Sequence, residues 1–218
     1  MKVAELEAIP SPWLLSTHLP LALLPSAGHV GNGGGEPVPA TTLGCRVVYL
    51  CLEPKDVVVS TWHYMNQVHH NFSVSLDRVA ELFWFSIYGP IWEHYLGYWN
   101  LSVTEPESVL FLRYEEMMAE PVKHVKLLAE FLRVPFTDEE ESAGVVEQVV
   151  RLCSFDNLRS LPVNSSRMSA RFGGAPMANS SFFRAAKVGD WAHYLTPEMA
   201  DKVDSITGDK VAGTSLTF

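Results

Sequence analysis

With 218 residues, 47% hydrophobic and 11% aromatic, the chain can fill one core but is short for two ordinary domains, so residues 1–218 read as a single domain. A formal net charge of −9 argues against general affinity for nucleic acid or an anionic membrane, because both select a basic face. Three cysteines, Cys45, Cys51 and Cys153, form neither an even framework nor a CxxC pair, which fits a reducing cytosol and suggests no zinc site. Acids in the opening Met1 to Glu7 segment interrupt any signal-peptide core, and no apolar run approaches the roughly 20 residues of a membrane span. A soluble, untargeted, cytoplasmic chain is the expectation.

In chain order, Trp13 to His18 is a short apolar stretch closed by Pro20, the pattern of a strand with His18 at its polar tip. Residues 26–42 carry five glycines between Gly28 and Gly35, with two prolines after them, and read as a flexible loop. Arg46 to Cys51 is a continuous apolar, β-branched run, expected as a strand buried on both faces of a parallel sheet. After Glu53-Pro54-Lys55, Asp56 is placed to cap a helix running through Trp62 and Met65. This strand, turn and helix form a unit on which α/β folds seat ligands.

From Leu76 to Trp99, Leu82, Phe85, Tyr88, Trp92, Tyr95 and Trp99 recur at steps of three or four, with a break at Gly89-Pro90. Val109 to Tyr114 is the next strand. Pro121 opens a helix whose Val122, Val125, Leu128 and Leu132 share a face. Thr137-Asp138-Glu139-Glu140 is a capping box that starts a helix toward Cys153. Thr196-Pro197-Glu198 starts a last one. Alternating strands and helices predict an α/β fold, a mainly parallel sheet flanked by helices.

Several strings in this order resemble the cytosolic sulfotransferase family of plant type. Ser16-Thr17-His18-Leu19-Pro20 resembles its THLP segment. Glu53-Pro54-Lys55-Asp56, with Val57 to Ser60, resembles its R-(D/E)-P-K-D…S segment. Phe111 to Met117 is similar to F-x-x-Y-E-(D/E)-M, and Cys153-Ser154-Phe155 to (C/T)-S-F. Phe182-Phe183-Arg184 with Val188-Gly189-Asp190-Trp191 resembles F-x-R-K-G-x-x-G-D-W.

The resemblance implies transfer of a sulfuryl group from 3′-phosphoadenosine 5′-phosphosulfate to a hydroxyl of a small acceptor such as a flavonoid, a steroid or another alcohol or phenol. It makes His18 the general base, an imidazole suited to taking a proton near neutral pH. Ser60 and Arg184 would hold the 3′-phosphate, and Tyr114 and Phe155 would bracket the adenine. Taken singly, each has a plainer reading. His18 could be a structural histidine, Ser60 a locally bonded helix hydroxyl, Tyr114 and Phe155 core aromatics, Arg184 a surface cation. No metal is expected, since His63, His69 and His70 lack an acidic partner at ligand spacing. Gly31 to Gly35 lacks the Lys-Ser/Thr of a phosphate cradle, and Asp138 to Glu141 reads as an acidic helix start.

Departures from the family pattern bear on activity. The family's Y-P-K-(S/A)-G-T-T-W loop does not occur in these 218 residues, which predicts a P-loop-like sulfotransferase fold lacking its N-terminal strand and phosphosulfate loop. Leu52 stands where the family has arginine, and Ala185-Ala186 where it has lysine and glycine. Two readings follow: an impaired sulfotransferase, or a non-catalytic remnant that binds a small molecule or a partner.

Overall fold

The computed structural model describes residues 14–21, 24, 45–68, 73–82, 90–171 and 174–218. The predicted loop at 26–42, together with Trp13, His69 and His70, lies outside the described residues. Two strands, β1 (Val47–Cys51) and β2 (Val109–Arg113), pair in parallel with Val47 opposite Val109 and Cys51 opposite Arg113. Both therefore deliver their carboxyl ends, Leu52 and Tyr114, to one edge of the sheet. The expectation that β1 is buried on both faces is corrected: Tyr49 and Cys51 turn inward, whereas Val48 and Leu50 are 40% and 42% exposed.

Helix α1 (Pro54–Val68) follows β1, α2 (Leu76–Leu82) comes next, and α3 (Ile91–Thr104) starts directly after Pro90, where the sequence placed a break. Tyr49 stacks on Tyr98 of α3 with ring centroids 4.3 Å apart, and Phe111 of β2 meets Tyr49 and Trp99. Of the predicted aromatic series, Tyr95 and Trp99 thus pack α3 against the sheet, while Phe85, Tyr88 and Gly89 lie outside the described residues.

After β2 come α4 (Tyr114–Ala119), α5 (Pro121–Phe131), α6 (Asp138–Ser142) and α7 (Val145–Leu152). The capping box forms as expected: Glu140 N–H donates to Thr137 Oγ1 at 3.2 Å, and Thr137 N–H to Glu140 Oε2 at 2.9 Å. The single helix expected from there to Cys153 is instead two, because Gly144 takes a left-handed φ of 71° that no helix interior accommodates. On α5 the buried side chains are His124 and Ala129, while Leu132 caps the helix and is exposed, so its inward stripe is shorter than the periodicity implies.

Helices α8 (Phe155–Ser160) and α9 (Pro162–Ser165) lead into an antiparallel hairpin, β3 (Met168–Arg171) and β4 (Gly174–Ala178), which the sequence pattern did not suggest because neither strand contains a β-branched residue. Short 3₁₀ turns at Asn179–Phe182 and Asp190–His193 precede α10 (Pro197–Val211), whose cap Thr196 accepts Met199 N–H. Helix α10 joins two buried clusters. Its Ala200 and Val203 pack with Val58, Val59, Val79 and Leu195, and its Val211 packs with Cys51, Tyr95 and Leu216. Val58 and Val59 are fully buried, and such side chains contribute roughly 1.5–3 kcal/mol each.

Two further expectations are corrected. Residues 14–20 form no strand. Leu19 N–H donates to Thr17 Oγ1, and the Leu19 carbonyl accepts from the Tyr98 hydroxyl. Asp56 does not cap α1 either. Pro54, whose ring presets a helical φ, starts the helix two residues earlier, and Glu53 supplies the cap toward Lys55 N–H. The Asp56 carboxylate instead accepts Gly189 N–H at 2.7 Å and Trp191 N–H at 2.9 Å, tying α1 to the segment before α10. Since a half-buried carboxylate loses both bonds at once, Asp56→Ala should lower stability by about 2–4 kcal/mol in urea unfolding, with Asp56→Asn intermediate.

Candidate functional site

Helix α1 packs against the stretch from Asn179 to Tyr194. Residues 56, 60, 63 and 64 recur at helical spacing and share one face of α1. Asp56 binds the 189–191 backbone, His63 meets the Tyr194 ring at 5.0 Å, and Tyr64 faces Phe182 at 6.2 Å. Ser60 sits in the middle of that face and is exposed.

Opposite it, Arg184 donates from Nη1 to Asp190 Oδ2 at 2.5 Å, and its guanidinium lies over Tyr194, 5.8 Å from the ring centroid. Asp190 is buried, and the Arg184 hydrogen bond holds its carboxyl below the ordinary carboxylate value. One edge of the arginine fork is thereby engaged. Phe155 is the first residue of α8, whose cap Ser154 accepts Asn157 N–H, and its ring packs on Phe183 at 5.7 Å beside Arg184. Of the sequence-predicted residues, Phe155 is linked to the Arg184 segment through Phe183, and Ser60 stands on the α1 face that meets the 189–194 turn.

Tyr114 stands at the sheet edge at the end of β2. Burial raises its phenol, and the Glu115 and Asp56 carboxylates add to the effect, so it is un-ionised beside the start of α1. The next residue, Glu115, accepts Glu53 N–H at 2.7 Å, which fixes the β1–α1 turn against β2. Leu52 in that turn is half-buried, and its carbonyl accepts the Tyr95 hydroxyl at 3.1 Å.

His18 lies apart from these groups on the irregular 14–20 segment and is exposed. Its segment is nevertheless anchored to the same helix as the Leu52 turn: Tyr98, one turn along α3 from Tyr95, donates to the Leu19 carbonyl at 2.8 Å. The two anchor points are thus about one helical pitch, ~5 Å, apart along α3.

Composition and motifs missed Tyr194 and His63. Neither belongs to a string that the resemblance singles out, and only the pairing of α1 with the 3₁₀ turn brings them to Arg184. Burial lowers the His63 pKa from its ordinary 6.5, Arg184 lowers it further and Asp190 opposes this. A group that resists protonation when folded destabilises the fold as pH falls below the unfolded value, because the unfolded chain takes up the proton. The melting temperature should therefore drop between about pH 7 and pH 5, and His63→Phe should flatten that portion of the profile. The Asp190 contribution falls in a more acidic window, so the two separate.

Ala186 holds a left-handed φ of 48°, where an L side chain is strained. It is the position at which the family pattern carries glycine, so the backbone keeps the glycine conformation with a methyl group added. Ala186→Gly should stabilise the chain by about 1 kcal/mol, read as a raised urea midpoint at unchanged slope.

The family model for the sulfotransferase domain matches residues 1–215. Cytosolic sulfotransferase 10 of Arabidopsis thaliana is 41% identical over 212 residues, 95% of this chain and 59% of that protein. Flavonol 4′-sulfotransferase of Flaveria chlorifolia is 38% identical over 208 residues, 94% of this chain and 61% of that protein. Among solved structures, mouse sulfotransferase SULT7A1 complexed with PAP superposes with a TM-score of 0.72 at 26% identity, covering 96% of this chain and 69% of that one. An α/β fold with paired parallel strands flanked by helices is shared with the sulfotransferases. The chain belongs to the sulfotransferase family and is consistent with its plant cytosolic type. It spans about three-fifths of the length of the curated relatives it matches.

Proposed function

We propose that residues 1–218 form one domain that binds 3′-phosphoadenosine 5′-phosphosulfate and a small hydroxylated acceptor in the cytoplasm, and transfers the sulfuryl group between them with reduced efficiency. The donor would supply the sulfuryl group. Ser60 and Arg184 would hold its 3′-phosphate, Tyr114 and Phe155 its adenine, and His18 would accept the proton that the acceptor hydroxyl loses as its oxygen bonds to sulfur. The observation that carries this reading is the double hydrogen bond from Asp56 to the backbone of Gly189 and Trp191. It keeps the Ser60 face of α1 against the segment that carries Arg184.

The residues present fit such a donor in part. Ser60 is exposed on α1, and Arg184 Nη1 alone is committed to Asp190. Leu52 offers no charge where the family places arginine, and Ala185-Ala186 withdraws a cation and adds a methyl group. Losing a buried bidentate contact costs about 2–5 kcal/mol of affinity, so donor binding should be weak. A PAP complex in the mouse relative and a flavonol acceptor in the Flaveria relative support the ligand classes, and the cytosolic relatives support the compartment.

A second reading rests on the same substitutions: with the donor's charged contacts thinned, the chain would be a non-catalytic module that binds a small molecule or a partner. One assay separates them. Purified protein given labelled donor and a panel of flavonoid, phenolic and steroid acceptors should transfer label, and His18→Ala should lower the rate by roughly 10²-fold or more. Label transfer no faster than in the His18→Ala protein, with no binding of 3′,5′-bisphosphoadenosine by calorimetry, would favour the module.

A further inference from the structure

Arg184 is held from two sides. Asp190 takes one nitrogen, and on the other side the guanidinium rests over Tyr194. That ring has its own supports on α1: the His63 imidazole meets it edge-on at 5.0 Å with an interplanar angle of 87°, and Trp62 touches it at 5.8 Å. Trp62 and His63 also contact each other at 4.5 Å, and Trp62 Nε1 donates to the Val74 carbonyl at 2.8 Å, which fixes the indole. The result is a stack that runs from the hydrophobic core to the Arg184 guanidinium.

His63 contributes to this stack through its ring contacts with Trp62 and Tyr194. Its Nε2 is buried and has no hydrogen-bond partner among the described residues, so the ring acts as a flat wedge between Trp62 and Tyr194. Without the wedge, Tyr194, which is 37% exposed, loses its nearest ring neighbour on α1. Arg184 is then left to Asp190, which draws the fork toward the 189–191 turn.

We propose that His63, acting through Tyr194, is a positioning residue that holds the Arg184 guanidinium where it meets the anionic group of a bound nucleotide. This rests on the donor reading above only for the nature of the anion. The arrangement of Arg184 itself stands or falls independently.

The test has a ligand-free arm and a ligand arm. Without ligand, the Arg184 Nε–H resonance, assigned through Arg184→Lys, should be displaced by the Tyr194 ring in the wild type and in His63→Phe. It should move toward the free-arginine position in His63→Ala and Tyr194→Leu. An Arg184 signal unchanged in His63→Ala overturns the proposal. In calorimetry, His63→Ala should weaken 3′,5′-bisphosphoadenosine by about 10-fold, in line with a partly desolvated cation–ring contact, while changing adenosine 5′-monophosphate less than about 2-fold. His63→Phe should restore most of the loss. Equal weakening of both nucleotides, or failure of His63→Phe to recover binding in a protein that melts normally, would show a merely structural ring and also overturn it. Should the wild type bind neither nucleotide, the donor reading fails, and the Arg184 resonance alone decides the role of His63.

Discussion

The junction of α1 with the 189–191 turn depends on one carboxylate. Asp56 projects from the first turn of α1 and accepts two backbone N–H groups from residues 133 and 135 positions away. A charged acceptor satisfying two main-chain donors in a half-buried setting is among the stronger single links a fold can make. The clamp ties to α1 the turn that lies between Arg184 and Tyr194. Lys55, beside it, reinforces the joint by pairing with Glu53 and Asp204 while lying over the Trp191 ring. Two consecutive residues of α1 therefore tie the helix to the chain on both sides of the 189–191 turn.

Helix α3 does the corresponding work for the other half of the molecule. Tyr95 and Tyr98 each carry an apolar ring into the core and a hydroxyl to a backbone carbonyl, one on the β1–α1 turn and one on the His18 segment. Burial raises both phenols, Tyr95 strongly, which keeps the hydroxyls protonated as donors. A histidine on an irregular stretch is thus referenced to the same rigid helix as the sheet edge.

Much of this was legible in the sequence. Both parallel strands, the break at Pro90 and the caps at Thr137 and Thr196 followed from local chemistry. Such signals act within four residues, where propensity and capping govern. Asp56 was read as an N-cap because an acid near a helix start has that use locally; its actual partners lie across the fold. Residues 14–20 carry the apolar content of a strand, but Leu19 bonds instead to the Thr17 and Tyr98 side chains. For the candidate site, the resemblance named Ser60, Phe155 and Arg184, and it marked Ala186 by setting it at the family's glycine. It did not name His63 or Tyr194, since ring-on-ring support leaves no short motif.

The distance spanned by the Asp56 clamp has a consequence for how the protein reaches its native state. The clamp joins a helix that begins at Pro54 to a turn at residues 189–191, so its two sides belong to the early and late thirds of the described chain. Loop closure over such a separation comes late, after the local helices and the β1–β2 pairing have formed. During synthesis, the Ser60 side leaves the ribosome long before the Arg184 side exists. The junction of α1 with the 189–191 turn can therefore form only after residue 191 has been made.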